Sequence, residues 1–238
     1  MRSLKEMLLA SSWARELSEN QLRSVIDGIT VRTIPTGGYV CMKGEPVEYW
    51  MGILDGLVKM ASIWSTGKAT SFLGLSTGGW FGEGSLLKDE PRKYDVIALR
   101  ETRVAYMNRA TFQWLHDNSI HFNRFLLIQL NERLGQFIGM MEHERLLDTD
   151  SRLARCLASL YNPVLYPESN LEIRISQEEI GLLAGISRQR VNQALRKLED
   201  AGLLQIDYGS ITILDPVSYT HLRAHETDSY LVCRLLLE

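Results

Sequence analysis

The chain has 238 residues, 45% of them hydrophobic and 23% charged, a composition that suits a globular protein of one large or two modest domains. No stretch of about 18 residues is free of charge, and the charged start MRSLKEMLLASSWARE is unlike a signal peptide, so neither a membrane span nor secretion is expected. Three separated cysteines (Cys41, Cys156, Cys233) exclude a disulfide framework and fit the cytoplasm, and a net charge of −3 excludes a uniformly basic nucleic-acid binder but not one with a local basic face.

In residues 1–28, Leu4, Met7 and Leu8, then Leu17, Leu22, Val25 and Ile26, recur at helical spacing. One or two short helices are predicted, with Ser18 and Gln21 as a capping box. Residues 29–108 change character. Glycine is frequent, and β-rich runs at 39–42, 49–54, 57–64, 70–75, 96–98 and 102–108 lie between turn residues. That punctuation predicts a small sandwich or barrel. Asp55-Gly56 and Ser65-Thr66-Gly67-Lys68 are hairpin signals.

Helix returns after residue 108. Asn108 or Thr111 can cap a short helix carrying Phe112, Trp114 and Leu115. A long helix follows over 119–147, without proline. Ile120, Leu127, Leu130, Leu134, Phe137 and Met141 form its stripe, and from Leu127 the spacing is the a/d repeat of a coiled coil. Such a helix of roughly 27 residues is about 40 Å long. A barrel of this size does not cover it entirely, so a parallel dimer seam is expected; packing on its own barrel is the alternative.

Residues 148–214 read as a second unit: a helix over 148–160, a loop over 161–171, a short strand, two short helices and a hairpin. Its most specific segment is ISQEEIGLLAGISRQRVNQALRKLEDAG, residues 175–202. Ser176 and Glu179 form a capping box, and Gly185 can turn with positive φ. Ser187 caps a second helix with Val191, Ala194, Leu195 and Leu198 inward, and Gly202 ends it. This is the pattern of a DNA-reading helix-turn-helix. From Ser187 to Leu198 there are four cations and no acid. Arg188, Gln189, Arg190, Asn192 and Gln193 face outward near the helix start, where arginine can read guanine and Asn or Gln adenine. Ser176, Gln177, Ser187 and Lys197 complete the candidate DNA contacts. Asp207-Tyr208-Gly209 turns a hairpin that reads as a wing.

From about Leu4 to Leu214 the chain resembles the cyclic-AMP receptor protein/FNR family of bacterial transcription regulators. PTGGYVCMKGEPVEYWMGILDGLVKM (35–60) is similar to the family's first barrel turns, and GEGSLLKDEPRKYDVIA (82–98) to its phosphate-binding cassette. The helix-turn-helix is the third match. The resemblance implies an α+β architecture: an effector barrel over 1–118, a dimerisation helix over 119–147 and a winged helix-turn-helix over 148–214. It implies a homodimer, a double-stranded DNA operator and RNA polymerase as partners, and no enzymatic activity. Leu127, Leu130, Leu134, Phe137, Ile138 and Met141 would form the dimer interface.

The resemblance also marks Gly82, Glu83, Gly84, Ser85 and Arg92 as ligand residues, with Arg92 for a cyclic phosphate and Glu83 for a ribose hydroxyl; Lys93 beside Arg92 is a further candidate for an anion. Glu83 and Arg92 as a structural ion pair is the other reading. The sequence departs from the family at Lys93, Tyr94 and Asp95, and places Phe137 and Ile138 where the family's adenine-contacting pair stands. An effector other than cAMP is therefore expected, with a nucleotide or another small anion left open. A cAMP-responsive regulator, or a dimeric sensory or scaffold module without DNA binding, is the alternative function. No metal, haem or iron–sulfur site is expected: the cysteines do not cluster, and His116, His121 and His143 lie on helices. Cys41 reads as a buried apolar residue rather than a redox thiol. Residues 215–238 are similar to translated adapter or vector DNA and are read as non-native, His221, His225 and Cys233 included.

Overall fold

The computed structural model describes residues 3–63, 69–146, 149–167, 172–207 and 209–214. The predicted turn at 65–68, the wing residue Tyr208 and the tail 215–238 lie outside the described residues. The chain divides into two units. One holds residues 1–139 with 162–168, the other 140–161 with 169–238.

The first unit opens with α1 (Leu4–Ala10), a 3₁₀ turn (Ala14–Glu16) and α2 (Glu19–Asp27). The expected capping box starts α2: Gln21 N donates to Ser18 Oγ at 3.4 Å and Ser18 N to Gln21 Oε1 at 2.9 Å. Eight strands and two helices follow: β1 (Ile29–Ile34), β2 (Tyr39–Cys41), β3 (Tyr49–Asp55), β4 (Leu57–Ile63), β5 (Ala69–Ser76), β6 (Trp80–Phe81), α3 (Glu83–Lys88), β7 (Asp95–Ala98), β8 (Thr102–Asn108) and α4 (Arg109–Asn118). Asn108 is the cap of α4, accepting from Thr111 N at 2.8 Å. Then comes α5 (Ile120–Leu146).

The strands form two antiparallel four-stranded sheets, ordered β1-β8-β3-β6 and β2-β7-β4-β5. One apolar core draws on both, from Met51, Ile53 and Val104 of the first to Val58, Leu75 and Val96 of the second. Asp55-Gly56, expected to close a hairpin, instead carries the chain from one sheet to the other, because β3 pairs with β8 and β6 while β4 pairs with β5 and β7. A second core gathers Trp13, Trp50, Trp80, Phe112 and Phe122 between the N-terminal helices, the barrel, α4 and α5. Trp50 and Trp80 stack there with centroids 4.2 Å apart.

The long helix has two apolar sides. Phe122 and Leu126 are buried in the aromatic core, and Gln129 and Arg133 continue that buried face. Leu127, Leu130, Leu134, Ile138 and Met141 are exposed; Phe137 is half-buried. Within one protomer, one side of this helix packs on the barrel, the alternative weighed for it, and the other is uncovered.

The second unit holds α6 (Thr149–Ser159), β9 (Glu172–Arg174), α7 (Gln177–Ala184), α8 (Arg188–Asp200), β10 (Leu204–Asp207) and β11 (Ser210–Ile213). The three strands form an antiparallel sheet ordered β10-β11-β9. Leu157, Ile180, Val191, Leu195 and Ile211 are among its buried residues. Glu199 Oε1 accepts from Ile206 N at 2.9 Å, tying β10 to α8. The Tyr161 hydroxyl donates to Ile211 O at 3.2 Å.

Candidate functional sites

In the second unit, α7 and α8 are joined by a turn that local chemistry dictates. Ser176 Oγ accepts from Glu179 N at 3.2 Å while Glu179 reaches back to Ser176 N, completing the predicted capping box. Gly185 ends α7 at φ +67°, ψ 32°, a left-handed conformation that glycine adopts without a Cβ penalty. Ser187 then starts α8, accepting from Arg190 N at 3.4 Å. Gly181, one turn before Gly185, lets the helices close: a Cβ there would lie 2.9 Å from Ile186 O. The sequence reading passed over Gly181, although a glycine inside a short helix was the available signal.

Arg188, Gln189, Arg190 and Gln193 are exposed. Among the described residues no hydrogen bond or ion pair engages the side chains of Arg188, Gln189 or Arg190. Two other candidates are already occupied. Asn192 Nδ2 donates to Gln177 Oε1 at 3.3 Å, linking the starts of the two helices. Lys197 pairs with Asp150 of α6. From α6, Arg152 also donates to Ala184 O at 3.1 Å, capping the end of α7 with a cation.

In the barrel unit, Gly82 precedes α3 at φ +92°. Arg92 is 5% exposed. Its Nη1 donates to Gly82 O at 3.1 Å and its Nη2 to Tyr49 O. Arg92 therefore holds the cassette through backbone carbonyls. It does not pair with Glu83, which corrects the ion-pair alternative. The cation beside Glu83 is Arg133 of α5, with Nε 3.8 Å from Oε1, and Trp50 Nε1 donates to the other carboxylate oxygen at 3.4 Å. Ser85 is buried in α3 and Gly84 half-buried. The exposed side chain of Lys93 pairs with Glu90 at 3.1 Å. Asp95 is buried in β7 and accepts from Lys43 N at 2.9 Å. Burial pushes the Cys41 thiol up to about 11, so it is a protonated core residue and not a redox thiolate.

Comparison with known proteins adds to this geometry. Residues 31–119 match the family model of the cyclic nucleotide-binding domain, and residues 151–218 that of the Crp-like helix-turn-helix domain. The chain belongs to the cyclic-AMP receptor protein/FNR family. It is a Crp-like transcription regulator with a cyclic-nucleotide-binding-type barrel and a helix-turn-helix. The CRP-like cAMP-activated global transcriptional regulator of Mycobacterium tuberculosis is 28% identical over 185 residues, covering 76% of this chain and 82% of the relative. The cAMP-activated global transcriptional regulator Vfr of Pseudomonas aeruginosa is 28% identical over 170 residues, covering 68% and 79%. Among solved structures, FixK2 from Bradyrhizobium japonicum shares the fold with a TM-score of 0.66 at 19% identity, covering 84% of this chain and 99% of that one.

Sequence reasoning did not single out Gln129, Arg133 or Tyr166 in this regulator. Arg133 is 8% exposed and donates to Trp80 O at 2.5 Å. An arginine that interrupts an apolar helix face was the available signal.

Proposed function

We propose that the chain is a homodimeric, sequence-specific DNA-binding transcription regulator whose barrel senses a small molecule other than cAMP. Residues 1–118 form the sensor, 119–147 the dimerisation helix and 148–214 the DNA-binding domain. The observation that carries the reading is the start of α8. Ser187 caps it, and Arg188, Gln189 and Arg190 are exposed in its first turn, their side chains unengaged among the described residues. In a helix-turn-helix that turn meets base edges in the major groove, where arginine bonds guanine bidentately and glutamine bonds adenine. Gln193 extends the face. Asn192 and Lys197 act more as braces, given their partners Gln177 and Asp150.

Dimerisation is supported by the uncovered side of α5. Leu127, Leu134 and Met141 are 68%, 58% and 63% exposed. Large apolar residues left exposed at heptad spacing are the seam of a paired helix. The same exposure at Leu130 and Ile138 continues it. RNA polymerase is the expected further partner and the cytoplasm the expected compartment.

The names of the relatives favour cAMP as the second reading of the effector. Against it, Arg92 is already held by the carbonyls of Gly82 and Tyr49, and Phe137 and Ile138 offer a base no hydrogen bond. The DNA reading is tested by selecting duplexes from a random library with the wild-type protein and measuring anisotropy. Arg188→Ala should cost about 1–3 kcal/mol on the selected duplex and relax one base position. Unchanged discrimination against a scrambled duplex would refute readout by Arg188.

A further inference from the structure

The turn after α6 reaches where its sequence gives no sign of going. Residues 162–168 belong to the barrel unit, although residues 161 and 169 on either side belong to the other. Asn162 folds the turn. Its Oδ1 accepts from Val164 N at 2.9 Å and Leu165 N at 3.0 Å, and its carbonyl accepts from Tyr166 N at 2.7 Å. Its Nδ2 donates to Glu132 of α5 at 3.3 Å. Leu165 and Tyr166 thereby enter the barrel core, 2% and 0% exposed.

The Tyr166 ring lies flush on Gly79, where an added Cβ would come within 2.6 Å of its Cε1. Its hydroxyl donates to Gly74 O at 2.9 Å. Burial raises the phenol's pKa, and the neighbouring Arg133 opposes the rise.

Beside this ring, α5 carries polar capacity that is not used. Arg133 is more than nine-tenths buried, and its Nη1 has no hydrogen-bond partner among the described residues. Gln129, one turn earlier and 2% exposed, leaves Nε2 without one as well. Unpaired buried donors destabilise the state that contains them.

We propose that the 162–166 turn is a resident plug: Tyr166 occupies the effector's ring position in the barrel, and the effector acts by replacing it. This rests on reading the barrel as a sensor. The displacing ligand is a small molecule with a planar ring, a donor for the Gly74 carbonyl and an acceptor for Arg133 Nη1 or Gln129 Nε2. A ligand shifts an equilibrium only through its differential affinity for the two states. The two unpaired donors supply that difference, because the plug leaves them unmet and such a ligand meets them. The plug is covalently continuous with the unit that holds the helix-turn-helix. Its expulsion therefore couples occupancy of the barrel to the chain leading into that unit.

The test uses the full chain and p-cresol, the tyrosine side chain as a free molecule. Tyr166→Ala should bind p-cresol about tenfold or more tightly than wild type, which must first expel its own ring. In wild type, amide exchange at Val164, Leu165 and Tyr166 should be slow. It should quicken about tenfold on saturation with p-cresol, with Ile53 and Val104 in the barrel unchanged. Tyr166→Phe keeps the ring but removes the bond to Gly74, and should give intermediate exchange. If Tyr166→Ala does not fold, Tyr166→Phe and wild type with p-cresol decide. Equal exchange at 164–166 in wild type with and without p-cresol, or unchanged exchange in Tyr166→Phe, would show a fixed core residue and overturn the plug. None of these readouts involves DNA, so their failure is distinct from failure of operator binding.

Discussion

Leu134→Asp isolates assembly from folding, because Leu134 is 58% exposed in the protomer and lies off both cores. A fully buried leucine contributes about 1.5–3 kcal/mol relative to an exposed one. Scaled to the area still exposed, covering Leu134 in a dimer contributes about 1–2 kcal/mol per protomer and about 2–4 kcal/mol for the pair. Aspartate removes that contribution and sets two carboxylates near a two-fold axis, at a further penalty of several kcal/mol without partners. A combined loss of at least about 4 kcal/mol weakens the dimer roughly a thousandfold or more. Sedimentation equilibrium reads the change, with far-UV circular dichroism confirming that the helix persists. Leu126→Ala is the control: Leu126 is 3% exposed against the barrel, so truncation should destabilise the fold by about 2–5 kcal/mol and spare the seam. A full dimer at micromolar Leu134→Asp would refute the assignment of this stripe.

Three further outcomes are expected. Cys41 has a folded pKa raised from 9.0 to about 11 by burial, so its contribution is complete below pH 9 and lost as pH rises from 9 to 11. That is about 2–3 kcal/mol, read as the difference in that loss between wild type and Cys41→Ala in denaturant titrations at pH 8 and pH 10.5; identical losses would contradict the burial argument. Isothermal titration with cAMP should show no micromolar binding, and a micromolar constant abolished by Arg92→Ala would mean that the cassette opens to the nucleotide after all. Gly181→Val places a Cβ 2.9 Å from Ile186 O and should destabilise the second unit by about 1–3 kcal/mol, with weaker DNA binding; thermal unfolding and operator binding equal to wild type would show that α7 and α8 need no such approach.

The parts of the fold set by neighbouring residues were legible beforehand. Ser176, Gly185 and Ser187 act within a few positions of themselves, so the helix-turn-helix could be read from its caps and turn. The barrel was readable as punctuation, but β1 was missed: its six residues run intermediate and exposed, without the alternation that marks a half-buried strand. The two-residue β6 is too short for any pattern. On α5 the periodicity exposed the outer stripe and hid the inner one, because polar Gln129 and Arg133 interrupt the face against the barrel. The Tyr166 contact with Gly74 spans 92 residues. Nothing local in a proline-bearing loop announces such a partner, since burial there is a property of the barrel and not of the segment.

The aromatic cluster gives this protein a built-in optical reporter. Trp13, Trp50 and Trp80 lie within 6.1 Å of one another, centroid to centroid. Indoles so close exchange excitation, so three of the five tryptophans behave as one coupled chromophore in an apolar setting. Phe122 and Phe125 of α5 press against it at 5.2 and 6.4 Å from Trp13, and the Trp80 carbonyl receives the Arg133 guanidinium. Any rotation or slide of the long helix therefore disturbs the coupling itself. The motion would register in near-ultraviolet ellipticity and emission lifetime, in an unlabelled sample, as it happens.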